Sequence, residues 1–375
     1  MHDAQQKWNA LTPTEVRAAR QSSYYWAVGF LIFDAALYLA TVLGSVTLPF
    51  WTGGLACSVI AGFCTSGLLI IAHDSCHNSL TPCRPLNRII GALAFLPALH
   101  NYSLWRHGHN FVHHLYTNQR GKDYVWEPLS PTEYRQLTRW KQMKYRFFRS
   151  FPGHYFYYTF EMWWRWRVFP QARYVGVVKP VYWWDLGLVM GWLLGLSAVL
   201  VIARCDAVAV PLTTWMEWPV AVSRGIAIPF LVSGMLMSTT EYMHHTHPAV
   251  HWYRDLHEEN WSAYQAKVSV HVRYPQPLDW VVHWIMDHTA HHIQPTVPLY
   301  QLRGAQQLIE SRTVEVITYD FSFRHLRDIL RRCKLYDDRT GCWRDFVGHP
   351  TSASRCDKLS GPLQRSVTAV EGNEA

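Results

Sequence analysis

Residues 51–77 read WTGGLACSVIAGFCTSGLLIIAHDSCH, and this stretch decides the fold. Residues 51–72 carry no charged side chain. An apolar run of about 20 residues is what an α-helix needs to cross a bilayer. The run ends on His73-Asp-Ser-Cys-His77, two imidazoles four residues apart. A helix places such residues on one face. The unit is therefore a membrane-crossing helix whose end carries paired histidines.

Working outward, residues 25–45, 183–203 and 225–242 are apolar enough to cross as well. Tyr24, Tyr25, Trp26, Trp51, Trp183, Trp184, Trp215 and Trp218 stand at the ends of the four runs, where amphipathic rings favour the headgroup level. Every Lys and Arg except Arg204 and Arg224 lies before the first run, between the second and third, or after the fourth. The positive-inside tendency makes those three segments cytoplasmic. The expected fold is all-α and integral to the membrane: four transmembrane helices in two hairpins with a largely helical cytoplasmic cap, 73–182 and 243–346. Residues 1–346 then form one membrane domain and 347–375 a disordered tail. Termini and cap face the cytoplasm, and the host is an inner or plasma membrane. A large polar cap accounts for a mean hydropathy of −0.10 in a multi-pass protein.

Several shorter features fit this plan. Asp34 lies inside the first run, where a carboxylate is either functional or hydrogen-bonded between helices. Residues 91–99 and 278–286 are too short to span and read as interfacial helices. Residues 145–169 mix Arg and Lys with Phe, Tyr and Trp. Beside four spans, that mixture describes a headgroup-level surface and not a nucleic-acid site. The polar N-terminus lacks the apolar core of a cleavable signal peptide. The eight cysteines form no CxxC pair, which excludes a zinc ribbon or an iron–sulfur motif.

Histidine placement points to the chemistry. Most of the 21 histidines fall in four groups: His73 and His77; His109, His113 and His114; His244, His245 and His247; His288, His291 and His292. By helical spacing His73 faces with His77, His109 with His113, and His288 with His291 or His292. All four groups lie on the side that Lys and Arg assign to the cytoplasm. Imidazole suits Zn, Cu, Fe and Ni, and one zinc site takes only three or four ligands. So many imidazoles suggest two ions, whose identity the spacing leaves open. A metal transporter would place its ligands near the midplane of the spans, and these spans are almost free of histidine.

The motifs HDSCH, HNFVHH and HTAHH resemble the three histidine boxes of the membrane fatty acid desaturase family. LWRHGHNFVHHLYTN, EYMHHTHPAVHWY, DHTAHHIQPTVPLYQL and RHLRDILRRCKLYDDRTGCWRDF are similar to its acyl-lipid, omega-6-like branch. The resemblance implies an O2-dependent desaturase of fatty acyl chains with two Fe ions cycling between Fe2+ and Fe3+. Its implied ligand and catalytic set is His73, His77, His109, His113, His114, His288, His291 and His292, with His245 after the fourth span and His247 in reserve. The second box holds three residues before its His pair where many relatives hold two, so His107 is an alternative to His109. Hydroxylases and ketolases of acyl, alkane or carotenoid chains share the three-box plan. Asp74, Glu241 and Asp287 are expected to orient ligand imidazoles.

No GxGxxG fingerprint or cysteine cluster occurs, so electrons must come from a separate donor. A ferredoxin, or a small cytochrome with its reductase, is the expected class, and a net charge of +8 suits an acidic one. The other expected partners are the bilayer and a lipid or acyl-thioester substrate, with no nucleic acid.

Overall fold

The computed structural model describes residues 11–254, 261–312 and 316–354. Four helices in it are long and apolar enough to cross a membrane: Tyr24–Thr47, Trp51–Cys76, Pro180–Ala207 and Glu217–His245. They are called the first to fourth spans. Each is longer than its apolar run. The second continues through His73 to Cys76, with His77 as its cap, so the first histidine pair is part of the helix. The third extends from Pro180, whose fixed φ suits a first helical turn.

The fourth span begins eight residues before the apolar run, because Glu217 and Arg224 mask its start. Arg204 Nε donates to Glu217 Oε2 at 2.8 Å, which neutralises that carboxylate near the helix end. A π-turn over Ser223–Ala227 interrupts the span just before Pro229, whose missing N–H an ordinary helical ladder would leave open.

The second span is the buried centre of the bundle and the third is its outermost member. Apolar side chains on the third face outward, including Trp184 at 76% exposure, as expected for a lipid-facing surface. The second and fourth spans approach through small residues. A Cβ on Gly62 would lie 2.5 Å from Val232 Cβ and 3.0 Å from the Pro229 carbonyl. Ser66 and Ser233 hydroxyls meet at 3.0 Å across the same contact. Between lipid-solvated helices such close backbone approach supplies the packing. Gly62→Val is therefore expected to destabilise the detergent-solubilised protein by about 1–3 kcal/mol, the usual range for overpacking. An unchanged unfolding midpoint would show that the two helices stand further apart.

The cap is mostly short helices. Two small sheets join them: Val270–Arg273 pairs in parallel with Ile317–Asp320, and Leu335–Asp337 pairs antiparallel with Cys342–Arg344. Residues 347–354, at the head of the expected tail, fold back on the second sheet. There Thr351 N donates to the Trp343 carbonyl at 2.8 Å. The rest of that tail lies outside the described residues.

The two interfacial expectations need new bounds. The first segment is a helix over Arg84–Ala94 that buries Ile90 and Ala94 and exposes Ile89 and Leu93. Residues 95–99 are turns, with Phe95 packed in the core. The second segment is helical only over Gln276–Val281 and then turns inward to the histidines.

The basic aromatic stretch 145–169 is only partly a surface. Trp164, Phe160 and Phe147 are exposed, but Arg149 and Arg167 are buried. Arg149 donates to the Trp126 and Cys333 carbonyls. Arg167 donates to Tyr124 Oη at 2.8 Å and pairs with Glu241 at 3.3 Å. A buried guanidinium is tolerable only with such partners.

Candidate metal centre

The histidine-bearing ends of the second and fourth spans meet two histidine segments of the cap. His73, His77, His109, His114 and His291 form one group. His113, His245, His288 and His292 form another. In each, one ring nitrogen per residue lies within 4.8 Å of the others, and every member is buried. All nine residues named from the sequence are thus brought together. His107 is not among them and packs near Phe111 and Tyr182. His247 stacks on Tyr319 instead. His244 stacks on His288 with ring centroids 3.5 Å apart, outside both groups.

Local backbone explains the division. His109–His113 is a single π-turn, closed by His114 N donating to the His109 carbonyl at 3.0 Å. This i→i+5 bond puts residues five apart on one side. His109 therefore faces with His114, not with His113 as α-helical spacing suggests, and His113 turns to the second group. The extra residue in the second box is the one the π-turn absorbs. The helix His288–Ile293 is α-helical, so His288 faces with His292 and His291 points to the first group.

Outer partners set the tautomers. His113 Nδ1 donates to the Asp123 carboxylate, 3.1 Å from both oxygens. Asp123 also accepts from Asn118 N at 2.9 Å and Val125 N at 3.1 Å. His245 Nδ1 donates to the Val268 carbonyl at 3.1 Å. His292 Nδ1 donates to Gln265 Oε1 at 2.9 Å. In the first group, His73 Nδ1 donates to Asp74 Oδ1 at 3.0 Å, and Leu299 N holds the other oxygen at 2.5 Å.

These bonds decide whether the residues fit a metal. With their protons on Nδ1, His113 and His245 each present a bare Nε2, and the two lie 3.2 Å apart. Two acceptors facing each other repel unless a cation lies between them. His292 Nε2 and His77 Nε2 are buried with no hydrogen-bond partner among the described residues. Buried polar atoms left in this way ask for a ligand. Burial, reinforced by neighbouring imidazoles, holds His109, His114, His288, His291 and His292 well below the ordinary imidazole range. All five are neutral, the form that binds metal. The two groups fit a pair of ions.

The carboxylate expectations divide. Asp74 orients His73 as expected. Glu241 pairs with Arg167, and its other oxygen has no hydrogen-bond partner among the described residues, so it orients no ligand imidazole through a hydrogen bond. Asp287 pairs with His271 at 3.0 Å, and His271 pairs also with Glu310 at 2.5 Å. Burial opposes charge on His271, yet these two carboxylates lift its pKa to about 9. Asp123, Gln265 and the Val268 carbonyl were missed, because none stands at a helical interval from the histidine it holds. Trp105, stacked on His109 with centroids 4.3 Å apart, carried no sequence signal beyond its closeness to the second box.

Comparison with known proteins agrees with this arrangement. A family described as fatty acid desaturase matches residues 49–322, a range that includes both groups entirely. The chain is 29% identical over 295 residues to an sn-1 oleoyl-lipid 12-desaturase of Picosynechococcus, covering 77% of each protein. It is 27% identical over 330 residues to the sn-1 oleoyl-lipid 12-desaturase of Synechocystis, covering 87% of each. It is also 27% identical to the chloroplastic omega-6 fatty acid desaturase of Spinacia oleracea, across 83% of this chain and 63% of that protein. Four membrane-length helices, two buried histidine groups and a match across most of the chain lead to one assignment: the chain belongs to the fatty acid desaturase family.

Proposed function

We propose that this protein desaturates acyl chains of membrane glycerolipids with O2, using one iron held by each histidine group. The observation that carries the reading is the bare, facing Nε2 pair of His113 and His245, locked by Asp123 and Val268. His73, His77, His109, His114 and His291 would hold one ion, and His113, His245, His288 and His292 the other. Iron bound there supplies the oxygen-activating chemistry that removes two hydrogens from adjacent methylenes. Two electrons and two protons come from outside, and dioxygen leaves as two waters.

The chain's own contribution is placement. Both groups are buried, which keeps bulk water from the reacting carbons. The Asp74, Asp123 and Gln265 bonds hold imidazoles in one tautomer before substrate arrives, so little reorganisation is left for the reaction. A glycerolipid substrate is supported by the cyanobacterial relatives, which are sn-1 oleoyl-lipid 12-desaturases. The spans would cross as two hairpins with the histidines at the cytoplasmic surface, where a separate ferredoxin or small cytochrome reaches them. The basic residues of the cap favour an acidic carrier.

The test is product analysis. Purified protein with iron, O2, a reduced carrier and oleoyl phospholipid is expected to yield a chain with one more double bond and no added oxygen. Hydroxylated or keto chains without new unsaturation would replace desaturation by oxygen insertion.

A further inference from the structure

Asp34 has no part in the metal centre, yet it is 94% buried within the first span. Its Oδ2 accepts from His283 Nε2 at 2.6 Å, and His283 is only 4% exposed. Gly67 of the second span makes room for this bond. A Cβ there would lie 2.5 Å from Asp34 Oδ2 and 3.1 Å from His283 Nε2. His283 and Trp284 both hold left-handed backbone, with φ of 46° and 58°. Side chains other than Gly adopt that region only when their surroundings hold them. Here the Asp34 bond holds His283, and the Phe30 ring meets both residues edge-on, at 5.1 and 5.8 Å.

The pair lies in a furrow of about 560 Å³ between the first and second spans. Its walls are nearly all apolar and include Trp26, Phe30, Phe33, Ile60 and Phe63. A volume of this order suits a small-molecule ligand, about 300–1,000 Å³ being usual. Along the first span the lining runs from Tyr25 to Leu37, about 18 Å of helix. Gly67, the lining residue nearest the histidines on the second span, is about 9 Å of helix below His73. Tyr25 and Trp280 are exposed beside it, at 77% and 59%.

The furrow therefore opens between two membrane-crossing helices, where hydrocarbon is the solvent. Its lining contains no Lys or Arg to hold the phosphates of a water-borne thioester. We propose that it seats an acyl chain of a bilayer glycerolipid, taken sideways from the membrane. The Asp34–His283 bond forms the polar part of its wall, beside Gly67. This rests on the desaturase reading above.

Gly29 provides the test, because it lines the furrow and a Cβ there meets nothing within 4 Å. Gly29→Phe fills the seat from one wall, starting from a Cβ that meets no neighbour, and Ile60→Trp fills it from the other. Wild type, both variants and Gly29→Ala are placed in oleoyl phosphatidylglycerol vesicles containing a photoactivatable phospholipid. Iron content reports folding. The expected result is lipid labelling of the furrow in wild type and Gly29→Ala, lost in the two filled variants. KM for vesicle lipid rises about tenfold or more in the filled variants at unchanged iron content. Wild-type KM and labelling in both filled variants would overturn the seat, leaving ordinary annular lipid. Turnover of oleoyl thioester but not vesicle lipid by wild type would overturn the choice of occupant. A wild type that holds iron but oxidises neither would overturn the functional reading itself, and the seat with it.

Discussion

Replacing His245 and His292 together with Ala is expected to lower bound iron from about two ions per chain to about one and to stop desaturation. The two histidine groups share no residue, so deleting ligands from one leaves the other's donor set complete. His245 and His292 are both held from outside, through the Val268 carbonyl and Gln265 Oε1. Removing their rings leaves His113 and His288, too few donors for tight binding in a site that ordinarily takes three or four. His73→Ala, His109→Ala and His114→Ala together are the mirror experiment on the first group, leaving only His77 and His291. Each of these two variants should retain about one ion and all five changes together none, as read by elemental analysis of folded, detergent-purified protein. Activity is expected to be lost in each, because groups that act as one unit are not additive. Retention of both ions in either variant would show that the groups are not the two metal sites.

Hydrophobicity is a local property, which is why the four spans were legible from composition alone. Their ends were not. The fourth begins at Glu217, and a charged residue belongs in a span only once a distant partner is known. That partner is Arg204, on another helix. The same limit applies to the site. His73 and His77 were paired correctly because the helix there is α. His109 and His113 were mispaired because a π-turn has no spacing signature before the backbone is seen. Arg167 looked like a headgroup contact because the residues that enclose it, Tyr124 and Glu241, lie 43 and 74 positions away. Asp34 could be marked as unusual, but its partner His283 is 249 positions distant. In each case the legible part is what neighbours in sequence decide, and the hidden part is what a buried polar group finds across the fold.

Asp123 makes that point quantitatively. Asp123→Asn changes one atom type and is expected to cut iron affinity or turnover about 10- to 100-fold, the usual cost of losing the partner of a metal-bound histidine. Both carboxylate oxygens are in use. Each accepts from His113 Nδ1, one also accepts from Asn118 N, and the other from Val125 N. An amide must place its NH2 against one of those backbone donors, which leaves a buried N–H without an acceptor. If the amide turns its NH2 toward His113, the favoured tautomer carries the proton on Nε2 and has no lone pair for a metal. If it turns its oxygen there, a neutral acceptor replaces a charged one and the imidazole becomes a weaker ligand. Either way the second ion should bind less tightly, while the first group, to which Asp123 makes no hydrogen bond among the described residues, should keep its own. A titration of apo-protein with Fe2+ should then show two classes of site, with only one displaced from wild type. Ordinary global destabilisation would weaken both classes together, and that outcome would reduce Asp123 to a structural residue.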